Sequence, residues 1–146
     1  EVISGFGGET TQTKNPPFRE CSSTVTQETP LRSVLAVFAE NQVEAIPVVN
    51  QEQTLLGEIT VQSLFQKDPL CGMTSMEELL KSHGDTSIED FITTDHYLEI
   101  ESNQNPYQIA ANLTSRKRQR AYWIKDNHLA GVATLPDLLS CCWKKG

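Results

Sequence analysis

The sequence predicts an α/β (α+β) protein built from two copies of one β-α-β-β-α unit. Three observations support this prediction: two helix patterns that begin at a cap residue followed by Pro, a short apolar strand behind each helix, and two Gly-x-x-Thr segments that close a further strand. Gly57 and Thr60 recur as Gly131 and Thr134, so 131 − 57 and 134 − 60 both give 74. A constant spacing between several features indicates an internal repeat.

The first helix of each copy is expected to begin at a proline. Pro30 follows Thr29 and Pro106 follows Asn105, and both pairs combine an N-cap residue with Pro in the first helical turn. Apolar residues behind Pro30 recur at i, i+3, i+4 and i+7, which is the spacing of an amphipathic helix. The pattern behind Pro106 is a weaker version of the same stripe.

Two strands and a second helix follow in each copy. A polar turn separates the strands, and the Thr that ends the second strand is a natural N-cap for the helix behind it. The second copy also has a candidate first strand at 96–100. The remaining predictions are strands at 45–49 and 121–124 and helices at 61–66 and 135–142.

These elements divide the chain into segments. The N-terminal residues are rich in Gly and Thr and show neither helical nor strand periodicity, which favours a flexible arm or linker. An apolar pattern ended by Gly84 predicts a helix between the repeats. The predicted segments are the arm at 1–17, the first repeat at 18–67, the inter-repeat helix and linker at 68–86, the second repeat at 87–143 and a C-terminal tail at 144–146.

Composition and motif content argue against several function classes. Twelve Lys and Arg against 19 Asp and Glu give a net charge of −7, which disfavours nucleic acid and anionic membranes as partners. No run approaches the roughly 20 apolar residues of a membrane helix, so we expect no direct membrane insertion. Four cysteines favour a reduced, cytoplasmic location, which includes the cytosolic domain of a membrane protein. With no P-loop, no nucleophile elbow and no metal-ligand spacing, we expect neither an enzyme nor a metal site.

The repeats resemble a tandem pair of cystathionine β-synthase (CBS) domains, a unit called a Bateman module. The resemblance lies in Ile-Pro-Val-Val at 46–49 and Gly-Glu-Ile-Thr at 57–60, and in Gly-Val-Ala-Thr-Leu-Pro-Asp at 131–137. The second copy departs from the family at 122–123, where Tyr-Trp replaces the usual hydrophobic-Pro-hydrophobic step. The resemblance implies two βαββα units packed pseudo-symmetrically, with their sheets facing and clefts between them.

The resemblance also implies a regulatory role. Modules of this family control channels, transporters and enzymes, pair as homodimers through their helices, and bind AMP, ADP, ATP or S-adenosylmethionine in their clefts. No other cofactor is implied. The apolar helix residues that are candidates for a homodimer contact are Leu35, Phe38, Leu64, Leu138 and Leu139.

A ribose site is implied in the second repeat. The family's Gly-hydrophobic-x-Thr-x-x-Asp segment binds ribose, and Gly131, Thr134 and Asp137 match it. A carboxylate can accept hydrogen bonds from both vicinal hydroxyls, and charge-assisted bonds are the stronger kind. Ser63 stands at the equivalent position of the first repeat, so we expect that cleft to bind nucleotide weakly or not at all. The alternative interpretation is structural, with Thr134 as a simple N-cap and Asp137 as a first-turn acid favoured by the helix dipole.

A basic cluster precedes the second repeat's strand at 121–124. Related nucleotide-binding copies carry phosphate-contacting residues there, so the resemblance implies a phosphate site. The alternative is a solvated helix end, where cations are favoured. Tyr122 is a further candidate, either against the adenine base or packed in the core. The basic residues are Arg116, Lys117, Arg118 and Arg120.

Two functions follow as alternatives. The first is a regulatory module that senses an adenine nucleotide in the second-repeat cleft and controls the transport or catalytic domain of a larger parent protein. The second is a structural or dimerisation module of the parent chain whose clefts stay empty. Asp137 and the basic cluster, set against Ser63 in the other copy, discriminate between them.

Overall fold

The computed structural model describes residues 17–101 and 104–145, which form two compact units. The first unit comprises residues 22–94. The second unit comprises residues 17–21 together with 95–101 and 104–145. The predicted arm lies outside the described residues except for Pro17, and Gly146 of the predicted tail also lies outside them.

The first unit packs three helices around a two-stranded antiparallel hairpin. Val25 adds a single parallel bridge to Val48 at the edge of this hairpin. The strand predicted at 45–49 is confirmed. The elements are helix α1 (Leu31–Asn41), strands β1 (Ala45–Val49) and β2 (Leu55–Thr60), helices α2 (Val61–Phe65) and α3 (Met76–His83), and 3-10 turns at Leu70–Gly72 and Glu89–Phe91.

Helix α1 begins one residue later than the Thr29-Pro30 pattern predicts. Pro30 is itself the N-cap, without a side-chain cap, and it forms an isolated antiparallel bridge with Ser87. The backbone N–H of Leu31 donates to the carbonyl of Thr86 at 2.7 Å. The free N–H groups that every helix start leaves are therefore satisfied in part by the backbone of a distant segment, which a local pattern does not reveal.

The second unit is a three-stranded sheet in the order β3-β4-β5, covered by two helices. Strand β3 runs parallel to β4, and β4 pairs antiparallel with β5. Asn105 caps α4 as predicted, since its Oδ1 accepts from the backbone N–H of Gln108 at 2.8 Å, and Pro106 lies in the first turn. The elements are β3 (Tyr97–Ile100), α4 (Pro106–Ser115), β4 (Arg120–Lys125), β5 (His128–Thr134) and α5 (Leu135–Lys145).

Two short segments pair with the strand of the opposite repeat. Arg19 precedes the first repeat's elements but forms a bridge with Val132 on β5. Thr93 precedes β3 but forms the corresponding bridge with Glu58 on β2. The bridges are equivalent, because 93 − 19 and 132 − 58 both give 74. Each repeat's leading segment therefore joins the sheet of the other repeat.

This exchange makes the compact units differ from the repeat boundaries predicted at 18–67 and 87–143. Those boundaries follow sequence similarity, whereas the units follow contacts. Residues 18–21 lie in the second unit, and residues 87–94 lie in the first. The segment predicted as inter-repeat helix and linker also lies in the first unit, where α3 ends at His83 with Gly84 as its C-cap, as predicted.

Each unit has its own hydrophobic cluster. The first combines α1 with the hairpin, and the second places Ala121 and Ala133 of the sheet beneath larger side chains of α4 and α5. No described helix is both long and apolar enough to cross a membrane. The fully buried aliphatic residues of the first cluster are Leu31, Val34, Ile46, Val48, Ile59, Leu64 and Ile88.

Candidate functional site

Asp137 lies in the first turn of α5 and caps that helix. Its Oδ2 accepts a hydrogen bond from the backbone N–H of Thr134 at 2.9 Å and from the Thr134 hydroxyl at 3.0 Å. Thr134 is the last residue of β5, so the carboxylate reaches back three residues to the helix start, as in a capping box. Thr134 and Asp137 therefore contribute to the start of the helix, as the structural alternative predicts.

Arg19 forms an ion pair with the same carboxylate. Its Nε donates to Asp137 Oδ2 at 3.0 Å, and its Nη2 lies 3.0 Å from the same oxygen. The Arg19 side chain is 59% exposed and that of Asp137 is 25% exposed. In the described part of the chain, the hydrogen bonds to this carboxylate all end on Oδ2.

The backbone holds Arg19 in position on the sheet. The N–H of Arg19 donates to the carbonyl of Val132 at 2.8 Å, and the N–H of Val132 donates back at 2.8 Å. Gly131 permits this approach, because a Cβ at that position would lie 2.9 Å from the carbonyl oxygen of Arg19 and 3.1 Å from Cβ of Phe18. Gly131 of the predicted ribose motif is therefore also explained by this close backbone packing.

The contacts of Asp137 lower its pKa below the usual value of 3.8. Partial burial is the largest single influence and would raise the pKa, because it disfavours the charged form. The hydrogen bond from the Thr134 backbone, followed by the hydrogen bond from Arg19 and that from the Thr134 hydroxyl, together outweigh it. Asp137 is therefore an anionic acceptor at neutral pH.

The first unit has the same helix start without the charges. The hydroxyl of Ser63 accepts from the backbone N–H of Thr60 at 2.9 Å, and the Thr60 hydroxyl accepts from the N–H of Ser63 at 2.9 Å. Thr93 stands where the second unit has Arg19, at the same 74-residue offset (93 − 19). Both units thus keep the helix cap, but among the described residues an ion pair to this helix start is found in the second unit alone.

Arg120 and Tyr122 lie on the sheet beside this helix start. Arg120 is directly opposite Thr134 in the β4–β5 ladder and is only 3% exposed. Its guanidinium contacts Gln119 Oε1 at 3.3 Å. Because strand side chains alternate, Arg120, Tyr122 and Thr134 share the face opposite the alanines that pack under the helices.

Tyr122 is 1% exposed and packs against Tyr97. The ring centroids are 5.1 Å apart in a T-shaped arrangement with an interplanar angle of 78°. Such edge-to-face pairs add to the energy of burial. The core interpretation of this tyrosine therefore fits its surroundings, and a contact with a base remains a prediction.

The structure separates the rest of the basic cluster. Arg116 is exposed at the C-cap of α4, where a cation is favoured by the helix dipole. Lys117 follows with a left-handed φ of 58° and is also exposed. Arg118 is half-buried, and its Nη1 donates to the backbone carbonyl of Asp95. The cluster thus has an exposed part at the helix end and an inner part, Arg120, next to Thr134.

Sequence reasoning missed Arg19 as a site residue. Its position lies outside every motif of the second repeat, and 118 residues separate it from Asp137. The available signal was the 74-residue offset, which aligns Arg19 with Thr93 (93 − 19) and so marks a cation present in one copy only. In the described residues, no group of three or more His, Cys, Asp or Glu side chains is arranged to hold a metal ion.

Comparison with known proteins supports the sequence resemblance. Residues 13–69 match the family model described as "CBS domain". No curated protein matches the chain by sequence. Among solved structures, the chain is similar to CBSX2 in complex with AMP, with 20% identity and a TM-score of 0.67 over 88% of this chain and 92% of that one.

Two further solved structures share the fold. OpuCA of Staphylococcus aureus is 16% identical with a TM-score of 0.64, over 90% of this chain and 100% of that one. The CBS domain of the bacterial CNNM/CorC family Mg²⁺ transporter in complex with ATP is 18% identical with a TM-score of 0.63, over 84% of this chain and 81% of that one. Residues 13–69 therefore match the CBS-domain family by sequence, and the chain as a whole has the fold of a CBS-domain pair.

Proposed function

We propose that this chain is a regulatory module that binds an adenine nucleotide on its second repeat and thereby controls a larger parent protein, such as a channel, a transporter or an enzyme. One observation carries the proposal. The ionised carboxylate of Asp137 lies at the start of a helix and is bonded to Thr134 through Oδ2, while no hydrogen bond among the described residues ends on Oδ1. The first repeat has Ser63 at the equivalent position. The Asp137 carboxylate is the acceptor that a ribose diol requires.

The solved relatives support this choice of ligand. CBSX2 is in complex with AMP, and the CBS domain of the CNNM/CorC family transporter is in complex with ATP. Both share the fold of this chain at 20% identity or less. The transporter relative also supports regulation of a transport protein as one output.

Each residue of the proposed site has a distinct task. Asp137 accepts from the ribose hydroxyls, while Thr134 and the start of α5 offer a hydroxyl and a positive dipole end. Gly131 keeps the strand backbone close to the segment that carries Arg19. Arg116, Arg118 and Arg120 are the proposed phosphate contacts, of which Arg120 lies nearest to Thr134 in the sheet. Tyr122 is the proposed neighbour of the base.

We further propose that the module has no catalytic activity of its own and works in the cytoplasm. The proposal of a non-catalytic role rests on the sequence, which contains none of the nucleophile, phosphate-loop or metal motifs that common hydrolases and transferases carry. The proposed location rests on the low number of cysteines. A homodimer through exposed helix faces is part of the same proposal.

Calorimetric titration with AMP and ATP tests the nucleotide site, using Asp137→Ser as the main variant. Serine at this position keeps a helix cap of the kind that Ser63 forms in the first unit, so the variant removes the charge with little harm to the fold. Loss of a charged hydrogen bond acceptor costs about 1.5–3 kcal/mol. We therefore expect the Kd to rise roughly ten- to a hundred-fold.

Ser63→Ala is the matched control in the other repeat, and it should leave the Kd unchanged. Equal losses in both variants would contradict the assignment to the second repeat. Binding that is unchanged in Asp137→Ser would remove Asp137 from the site. Circular dichroism spectra of both variants check that α2 and α5 remain helical.

The alternative function is a structural or dimerisation module without a ligand. Exposed apolar residues on α5 favour it, since Leu139 and Trp143 are both open to solvent. The ion pair between Arg19 and Asp137 also favours it, because it occupies part of the carboxylate in the absence of nucleotide. Absence of any heat with AMP, ADP, ATP and S-adenosylmethionine would leave this alternative as the better account.

A further inference from the structure

We infer that Arg19 acts as a latch on the proposed site, so that the nucleotide's ribose and the Arg19 guanidinium compete for the Asp137 carboxylate. The inference rests on the proposed function and adds a means of transmission to it. A bound ligand would release Arg19 and loosen residues 18–21 on β5. Ligand binding would thereby weaken the attachment of the start of the first repeat.

The geometry of the carboxylate makes Arg19 the replaceable partner. The two bonds from Thr134 are local and belong to the start of α5. Arg19 reaches the same oxygen from a separate segment, and its side chain is mostly exposed. An exposed guanidinium regains water when it leaves, so its displacement costs little. A diol that takes both carboxylate oxygens must displace it from Oδ2.

The leading segment, residues 18–21, is held by more than this ion pair. We therefore expect ligand binding to loosen it only in part. Two backbone hydrogen bonds join Arg19 to Val132. Phe18 is buried in the second cluster, and its ring lies 6.0 Å from that of Trp123. Loss of the ion pair therefore weakens the attachment of the segment without abolishing it. By linkage, a ligand that loosens the segment is itself bound more weakly while the segment is latched.

Arg19→Gln tests this competition by calorimetric titration with AMP. Exposed ion pairs contribute about 0.2–1 kcal/mol, so removal of the competitor should tighten AMP binding by a factor of up to about five. Arg32→Gln is the matched control, because Arg32 forms an exposed ion pair with Asp85 at 3.1 Å in the first unit. The control should leave the Kd unchanged.

The outcomes separate the latch from the proposed function. Tighter binding in Arg19→Gln alone supports the latch. AMP binding that is unchanged or weaker in Arg19→Gln overturns it, and the weaker case would make Arg19 a ligand contact. If neither the unmodified protein nor Arg19→Gln binds AMP, ADP or ATP, the proposed nucleotide site fails, and the competition inferred from it fails with it.

Amide hydrogen exchange provides a second measurement on the folded chain. The amide protons of Arg19 and Val132 are protected by their mutual hydrogen bonds. Saturating AMP should speed their exchange by a factor of a few, and Asp137→Ser should do the same without any nucleotide. Exchange that slows or stays constant with AMP bound would show that the segment tightens or ignores the ligand, which overturns the inference.

Discussion

Asp137 stabilises the chain through contacts that depend on its charge. Its carboxylate caps α5 through Thr134 and pairs with Arg19, and these contacts hold its pKa below 3.8. A cap contributes about 0.5–2 kcal/mol, whereas an exposed ion pair adds less than about 1 kcal/mol. The cap is therefore the larger part of what Asp137 gives to the fold.

The lowered pKa predicts how this contribution changes with pH. An acid whose pKa is lower in the folded state stabilises the fold while it is ionised. The contribution is present above the unfolded value of 3.8 and is lost as the pH falls through the lower folded value. Urea denaturation of the unmodified chain and Asp137→Asn should thus give a stability difference that shrinks as the pH drops below 3.8. A difference that persists undiminished at still lower pH would contradict a role for the ionised form.

At the scale of elements, the leading segment and strand β5 depend on each other. Their contact is two backbone hydrogen bonds at Arg19 and Val132, and it requires that no side chain stand at Gly131. The first unit has the same arrangement, since a Cβ on Gly57 would lie 3.1 Å from the carbonyl oxygen of Thr93. The glycines of the two Gly-x-x-Thr motifs thus explain why the exchanged segments can pair at all.

Gly131→Ala should therefore destabilise the second unit. The new Cβ would lie 2.9 Å from the carbonyl oxygen of Arg19, and backbone cannot yield as a flexible side chain can. We expect a loss of about 1–3 kcal/mol, typical of overpacking, measured by urea denaturation. Gly72→Ala is the control, because its Cβ would meet Asp68 Oδ1 at an ordinary 3.6 Å. Equal midpoints for the two variants would show that the close approach does not limit stability.

The residues that are candidates for a homodimer contact fall into buried and exposed ones across the whole molecule. Leu64 and Leu138 are 0% exposed and belong to the hydrophobic clusters, so they cannot supply a free apolar surface. Leu139 is 51% exposed and Trp143 is 86% exposed on α5, while Phe65 is 47% exposed on α2. Phe65 and Leu139 are equivalent positions, because 139 − 65 gives 74. A helix-mediated homodimer would use these exposed residues.

Leu139→Glu should therefore weaken self-association, which sedimentation or light scattering at several concentrations can measure. A charge in an apolar contact leaves an unpaired ion buried, so the dimer should dissociate at concentrations where the unmodified chain is paired. Lys125→Glu is a control for the added negative charge, since Lys125 is exposed at the end of β4. A strict monomer before any substitution, or equal effects of both variants, would argue against the dimer.

The local elements were predictable because their signals lie within a few residues. Each of three elements follows from the types of a few neighbouring residues: the strand at 45–49, the cap at Asn105 and the C-cap of α3 at Gly84. The constant offset of 74 residues between 57 and 131 predicted the repeat. The predicted ribose motif also placed Thr134 and Asp137 together, since they share one helix start.

What only the tertiary structure decided is the pairing of distant segments. The N–H groups at the start of α1 find carbonyls at 84–86, and Arg19 reaches Asp137 across 118 residues of chain. Local patterns cannot specify such contacts, because a strand edge offers the same backbone hydrogen bonds to any segment that reaches it. Periodicity therefore determined the elements and the repeat, and the exchange of leading segments determined which cation meets the predicted carboxylate.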